Sequence, residues 1–85
     1  MESNRVEALR ARVEAIWKEI LEMPDGQTQA TFFELKGDSI SAIRLVSRIE
    51  EELDVLLDVG DLFEDDPDLE TFVSDVVARS ERPAA

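Results

Sequence analysis

Three separated runs of apolar residues repeat with the period of an α-helix, and this repeat constrains the fold more than any other feature of the chain. In residues 4–22, Val6, Leu9, Val13, Ile16, Trp17 and Ile20 recur at three- and four-residue steps and share one face. In residues 39–53, about 100° per residue puts Ala42, Leu45, Val46, Ile49 and Leu53 in one arc about 100° wide. In the last third, Leu69, Phe72, Val73, Val76 and Val77 form another stripe. Each stripe must be buried, and no strand is needed to bury it. The pattern predicts an all-α four-helix bundle, with three longer helices, one short helix near Val59–Phe63, and a long loop between the first two.

Local signals predict the boundaries. Asn4 followed by Glu7 reads as a capping box. Pro24 disfavours helix at Met23, and Asp25-Gly26 turns easily, so the first helix should end there. Ser39 reads as the N-cap of the second helix, with Asp38 at the positive end of its macrodipole. Val55 and Leu57 alternate like an extended segment, Gly60 weakens the short helix, and Leu62 and Phe63 are expected in the core. The last helix is expected to start near Asp66-Pro67-Asp68. Arg79 and Arg82 suit its C-terminal end, and the residues after Arg82 should fray. The 85 residues are enough for one domain, expected to be ordered over about residues 4–80.

Composition removes whole classes of chemistry. With no cysteine and no histidine, disulfides, thiol nucleophiles, zinc sites and Ser-His pairs are excluded. A net charge of -12 disfavours nucleic acid and anionic membranes as partners. No run approaches a membrane span and no apolar leader is present, so the reading is a cytoplasmic protein and a monomer. The acids from Asp54 to Glu70 lack the glycine at the sixth position that a calcium loop needs, so they read as a solvated surface and no metal is expected. Nothing in the pattern resembles an enzyme active site.

The loop from 24 to 38 is long for a small domain, and its second half is apolar. Exposing Phe32, Phe33 and Leu35 would cost roughly 2 kcal/mol each, so most of them should dock on the helices and fix the loop's end. That end delivers Gly37-Asp38-Ser39 to the start of the second helix. Ser39 has two readings. It is a plain cap, or it is a hydroxyl presented for modification, where a helix N-terminus would favour a phosphate and Gly37 would leave room for a partner. Ile40 points almost directly away from the core arc, and Ile43 lies at its margin. They form either a small contact patch beside Ser39 or a pair partly covered by the loop.

Phe32-Phe33-Glu34-Leu35-Lys36-Gly37-Asp38-Ser39-Ile40 resembles the phosphopantetheine attachment motif of carrier proteins, usually FFELGGDSL. The likeness continues through Ile43–Glu51, Val55–Phe63 and Pro67-Asp68-Leu69-Glu70, covering roughly residues 13–78. The resemblance implies an acyl-carrier-protein-like four-helix bundle whose Ser39 is esterified by 4'-phosphopantetheine from coenzyme A. It implies a thioester on the arm's thiol and a protein that is not itself a catalyst. By position, Asp38 and Gly37 belong to the attachment site, with Asp38 assisting docking or metal placement in a phosphopantetheinyl transferase. Ile40, Ile43, Arg44, Ser47 and Glu51 are the expected partner contacts. Further implied partners are an adenylation enzyme or acyl ligase, and a condensation, ketosynthase or acyltransferase enzyme.

Arg44 and Arg48 precede any acid on the second helix, and with Phe32-Phe33-Glu34-Leu35 this is more similar to a peptidyl carrier of nonribosomal peptide or hybrid polyketide synthesis than to the acidic carriers of fatty-acid or polyketide synthesis. The start at Met1 and the end soon after the last helix read as a free-standing (type II) carrier. Outside this family, the alternative is an acidic helical interaction module with no prosthetic group. Lys36 departs from the motif, which has glycine there.

Overall fold

The computed structural model describes residues 2–23 and 29–80, with side chains from Arg5 onward. Four helices follow one another: α1 (Glu2–Leu21), α2 (Ser39–Leu53), α3 (Val59–Asp65) and α4 (Leu69–Ser80). Helix α1 packs against α2 and α4, and the short α3 touches α2. Among the described residues there is no strand, only an isolated antiparallel bridge between Thr31 and Asp68.

The stripes meet in one core. Val13, Ile16 and Trp17 of α1, Ala42, Leu45 and Ile49 of α2, and Val76 of α4 are fully buried. Phe72 and Val73 complete the α4 face. Trp17 lies between Phe72, with ring centroids 5.1 Å apart, and Phe32, 6.4 Å away edge-on. Its indole N–H is buried without an acceptor among the described residues. Between α2 and α3, Val55 is buried, Leu57 is half-buried and Leu56 is exposed, as an extended segment requires.

Most of the chain's punctuation is aspartate. Asp38, Asp58 and Asp68 sit before α2, α3 and α4, and each accepts a backbone N–H of its helix's first turn, from Ser41, Gly60 and Thr71, all at 2.8 Å. Asp54 and Asp66 end α2 and α3 with φ of 56° and 44°, their N–H groups donating to Glu50 O and Leu62 O. Five of the acids that give the chain its charge are therefore caps, because a short carboxylate can bond nearby backbone and tolerates the left-handed region.

Several expected boundaries move. Asn4 lies inside α1, which begins at Glu2, so it is not the cap. Helix α1 stops at Leu21, where Glu22 turns left-handed (φ 51°) and Met23 N–H donates to Lys18 O, so the stop precedes Pro24. Pro24, Asp25 and Gly26 lie outside the described residues, as do Arg82 and the expected frayed end. Pro67 is not in the first turn of α4 but buried in the corner before it, while Asp68 caps the helix. Arg79 is tied by its guanidinium to Asp75 and Asp61, each at 3.0 Å, joining α4 to α3.

Candidate functional site

The loop end that carries the motif is a single capped turn. Thr31 N–H donates to the Glu34 carboxylate at 2.9 Å, and Glu34 N–H donates back to Thr31 Oγ1 at 3.3 Å. This is a capping box written as Thr-x-x-Glu, a signal open to reading in the sequence. Leu35 N–H donates to Thr31 O, Lys36 N–H to Phe33 O and Gly37 N–H to Phe32 O, with Lys36 left-handed at φ 63°. The turn thus closes the way helices close before a glycine, but with a lysine in the glycine's place.

The same turn is stitched to the corner between α3 and α4. Phe32 N–H donates to Pro67 O at 2.9 Å and Phe33 N–H to Asp66 Oδ1 at 2.8 Å. Phe32 and Leu35 are buried, but Phe33 is 46% exposed, and Phe63 of α3, expected in the core, is 37% exposed. The two half-exposed rings stack on each other at 6.0 Å, and Phe32 meets Phe63 edge-on at 6.0 Å. Only one of the adjacent phenylalanines can point at Trp17. The other is left over the surface, where an aromatic neighbour covers one face.

Gly37 has a packing reason to be glycine. A Cβ there would lie 2.5 Å from Cζ of Phe32 and 2.6 Å from Cε1 and Cε2. The ring of a fully buried side chain occupies the space that the sequence suggests is kept open for a partner.

At the start of α2, the expected order is reversed. Asp38 is the N-cap, with φ -129° and ψ -174°, and Ser39 is the first helical residue. Asp38 accepts the Ser41 N–H, and this bond, with the Ser41 hydroxyl second, holds its carboxyl below the usual range. Aspartate wins the cap because its carboxylate accepts the N–H more strongly than a hydroxyl can, beside the positive helix end. The Ser39 hydroxyl is thereby left exposed and without a hydrogen bond among the described residues.

Around it, Ile40 and Ile43 are 66% and 56% exposed. Arg44, Ser47 and Glu51 are exposed on the same helix. Arg48 is bound to Glu52 and Glu19, and Glu52 also meets Arg12. Lys36 and Arg44 make no ion pair with the described residues, although acids outnumber bases 21 to 9.

Residues 11–76 match the family model described as the phosphopantetheine attachment site. The chain belongs to the phosphopantetheine attachment site family. It is similar to three large synthetases. These are N-(5-amino-5-carboxypentanoyl)-L-cysteinyl-D-valine synthase of Amycolatopsis lactamdurans, 38% identical over 66% of this chain, phosphinothricin tripeptide synthetase PhsC of Streptomyces viridochromogenes, 33% identical over 68%, and a dimodular nonribosomal peptide synthase of Bacillus subtilis, 43% identical over 58%. The matches span only 2%, 5% and 2% of those relatives' own lengths. A solved structure, that of BlmI, a type-II acyl-carrier-protein from Streptomyces verticillus involved in bleomycin biosynthesis, superposes with a TM-score of 0.70 at 32% identity, covering 91% of this chain and 92% of that one. The all-α carrier fold and its covalent 4'-phosphopantetheine follow from membership of this family.

The residues at the start of α2 fit such a group. An exposed hydroxyl stands in the first turn of a 15-residue helix, its own cap already supplied by a neighbour. The N–H of Ser39 has no acceptor in the helix's own ladder and can face a phosphate oxygen. Two residues escape the sequence reading. Ser41 engages Asp38, and Phe63 joins Phe33 at the surface. The former is visible only once Asp38 is known to be the cap, and the latter depends on where α3 lies. Among the described residues no helix is long and apolar enough to cross a membrane.

Proposed function

We propose that Ser39 is the attachment residue and that residues 1–85 act as one carrier domain, handing an aminoacyl or peptidyl thioester between enzymes of nonribosomal peptide synthesis. The carrying observation is the exposed Ser39 hydroxyl, freed because Asp38 takes the cap. Three synthetase relatives and the type-II carrier likeness support the peptidyl setting. So does α2, which carries Arg44 and Arg48 but no acid between Ser39 and Ile49.

The chain's residues present and position, and they do not catalyse. Ser39 supplies the oxygen nucleophile: its Oγ would bond to the pantetheine-bearing phosphorus of coenzyme A as the pyrophosphate bond breaks and adenosine 3',5'-bisphosphate leaves. The chain has no histidine, and among the described residues the hydroxyl proton of Ser39 has no hydrogen-bond acceptor. A base on the phosphopantetheinyl transferase must take it. Once attached, the group supplies a thiol that holds cargo as a thioester. Gly37 and Phe32 fix the position of the turn, while Ile40 and Ile43 offer an apolar contact for the transferase, the adenylation enzyme and the condensation enzyme in succession. Cytoplasmic enzymes of this kind would meet the carrier in the cytosol.

Intact-mass measurement tests the proposal. With coenzyme A and a broad-specificity transferase, the protein should gain one phosphopantetheine, and Ser39→Ala should gain none. Equal gain in the variant would put the arm on another residue and refute Ser39, and no gain in the wild type would leave an interaction module without a prosthetic group as the better account.

A further inference from the structure

Two clefts that share Ile20 and Glu22 run between the C-terminal end of α1 and α2, the first reaching Ser41, two residues from Ser39. The first, about 340 Å³, is walled by Ile20 of α1, Glu22 just past its end, Glu34, Leu35 and Lys36 of the capped turn, and Ser41 of α2. The second, about 500 Å³, shares Ile20 and Glu22 and continues to Arg44. Together they form an open groove along α2. Toward α3 the space beside the turn is already filled, because Phe32, Phe33 and Phe63 lie in mutual ring contact at 5.8–6.0 Å.

The lining has a specific chemistry. Ile20 and Leu35 are apolar, the carboxylates of Glu19, Glu22, Glu34 and Glu51 accept, and Lys36 and Arg44 donate without an ion-pair partner among the described residues, while Arg48 is held by Glu19 and Glu52. A plain acyl chain laid here would desolvate those polar groups and leave them unbonded. A chain of amides broken by short apolar segments would satisfy them: amide N–H to Glu22, amide carbonyl from Lys36 or Arg44, methyl groups against Ile20 and Leu35. Pantetheine has this pattern, with two amides and a geminal dimethyl group.

We propose that the pantetheine arm itself, rather than its cargo, rests in the groove between α1 and α2, on the reading that Ser39 is its attachment point. Lys36 then has a use that the glycine usual in the motif could not supply. The arm lies along the α1 side of α2, leaving Ile40 and Ile43 exposed for partners.

The test begins with the isotopically labelled protein, loaded with an unlabelled arm and verified by intact mass. Filtered NOE spectra should show contacts between the arm's geminal methyls and Ile20 methyls, and the amides of Glu22, Ser41 and Arg44 should shift between apo and holo forms. Arg44→Glu, at an exposed position outside the core, should weaken these contacts, and Ile20→Gln should abolish the arm's contacts to that wall. A loaded protein whose arm contacts Phe33 or Phe63 instead overturns the groove and leaves Ser39 attachment standing, as does one whose shifts are confined to residues flanking Ser39. A protein that gains no mass overturns both.

Discussion

Substituting Gly37 by alanine should test whether this residue is small for the sake of packing or for the sake of a partner. The added Cβ would lie 2.5–2.6 Å from three atoms of the Phe32 ring. Carbon atoms prefer about 3.5–4.0 Å, so ring or backbone must give by about 1 Å. The ring has little room to move: it is fully buried, with Trp17, Phe33 and Phe63 at centroid distances of 6.4, 5.8 and 6.0 Å. Gly37 does not have a left-handed φ, so alanine's backbone preference adds no strain and the cost is steric. Overpacking of this kind costs about 1–3 kcal/mol. For a domain of this size each kcal/mol moves Tm by about 4–8 °C, so an overpacking cost near the middle of its range, about 2 kcal/mol, lowers the midpoint by about 8–16 °C in far-UV circular dichroism. Shortening the ring with Phe32→Leu should recover part of the loss, giving a favourable coupling of about 1 kcal/mol in the double-mutant cycle. At a temperature where Gly37→Ala is folded, transferase modification should proceed at close to the wild-type rate. A variant of unchanged stability that is modified slowly would refute the packing argument and return Gly37 to the partner's approach. Full additivity with Phe32→Leu would also refute it.

Lys36→Gly relieves a left-handed residue, a conformation costing non-glycine residues about 1–2 kcal/mol, against glycine's entropic cost of about 0.5–1 kcal/mol. Urea denaturation should show a gain of about 0.5 kcal/mol, and a loss would contradict the turn geometry. Asp38 and Asp68 both have folded-state pKa values lowered, first by the backbone N–H of Ser41 and of Thr71. A lowered folded pKa gives stability that is present above the unfolded value and is lost as pH falls through the folded one, so both caps should weaken below about pH 4. Asparagine caps comparably without titrating, so in Asp38→Asn/Asp68→Asn the thermal midpoint should fall less steeply below about pH 4 than in the wild type. An identical pH profile would mean the two caps do not contribute to acid stability.

The helices and most of their buried faces were legible because a stripe at three- and four-residue spacing is local information. Trp17, Leu45 and Val76 are assigned to the inside by neighbours a turn away in the same helix, whatever else the chain does. The attachment motif was legible for a related reason, since Phe32 to Ile40 is contiguous and its likeness to the carrier family does not depend on the fold. The Thr31-x-x-Glu34 capping box was legible in principle, but was hidden in a stretch read as loop.

What tertiary structure decided lies where no period applies. Phe32 and Phe33 are identical and adjacent in a turn, and only the position of Trp17 and Phe63 determines which ring is buried and which stacks at the surface. Asp38 and Ser39 are both good caps, and a shift of one residue in where helical dihedrals begin assigns the carboxylate to Ser41 and leaves the serine hydroxyl exposed. The sequence by itself therefore determined a helical bundle with a serine at a helix start. The packing of the turn against α1, α3 and the α4 corner decided where that serine stands, because backbone dihedrals outside a repeating element are set by the contacts they meet rather than by their neighbours in the chain.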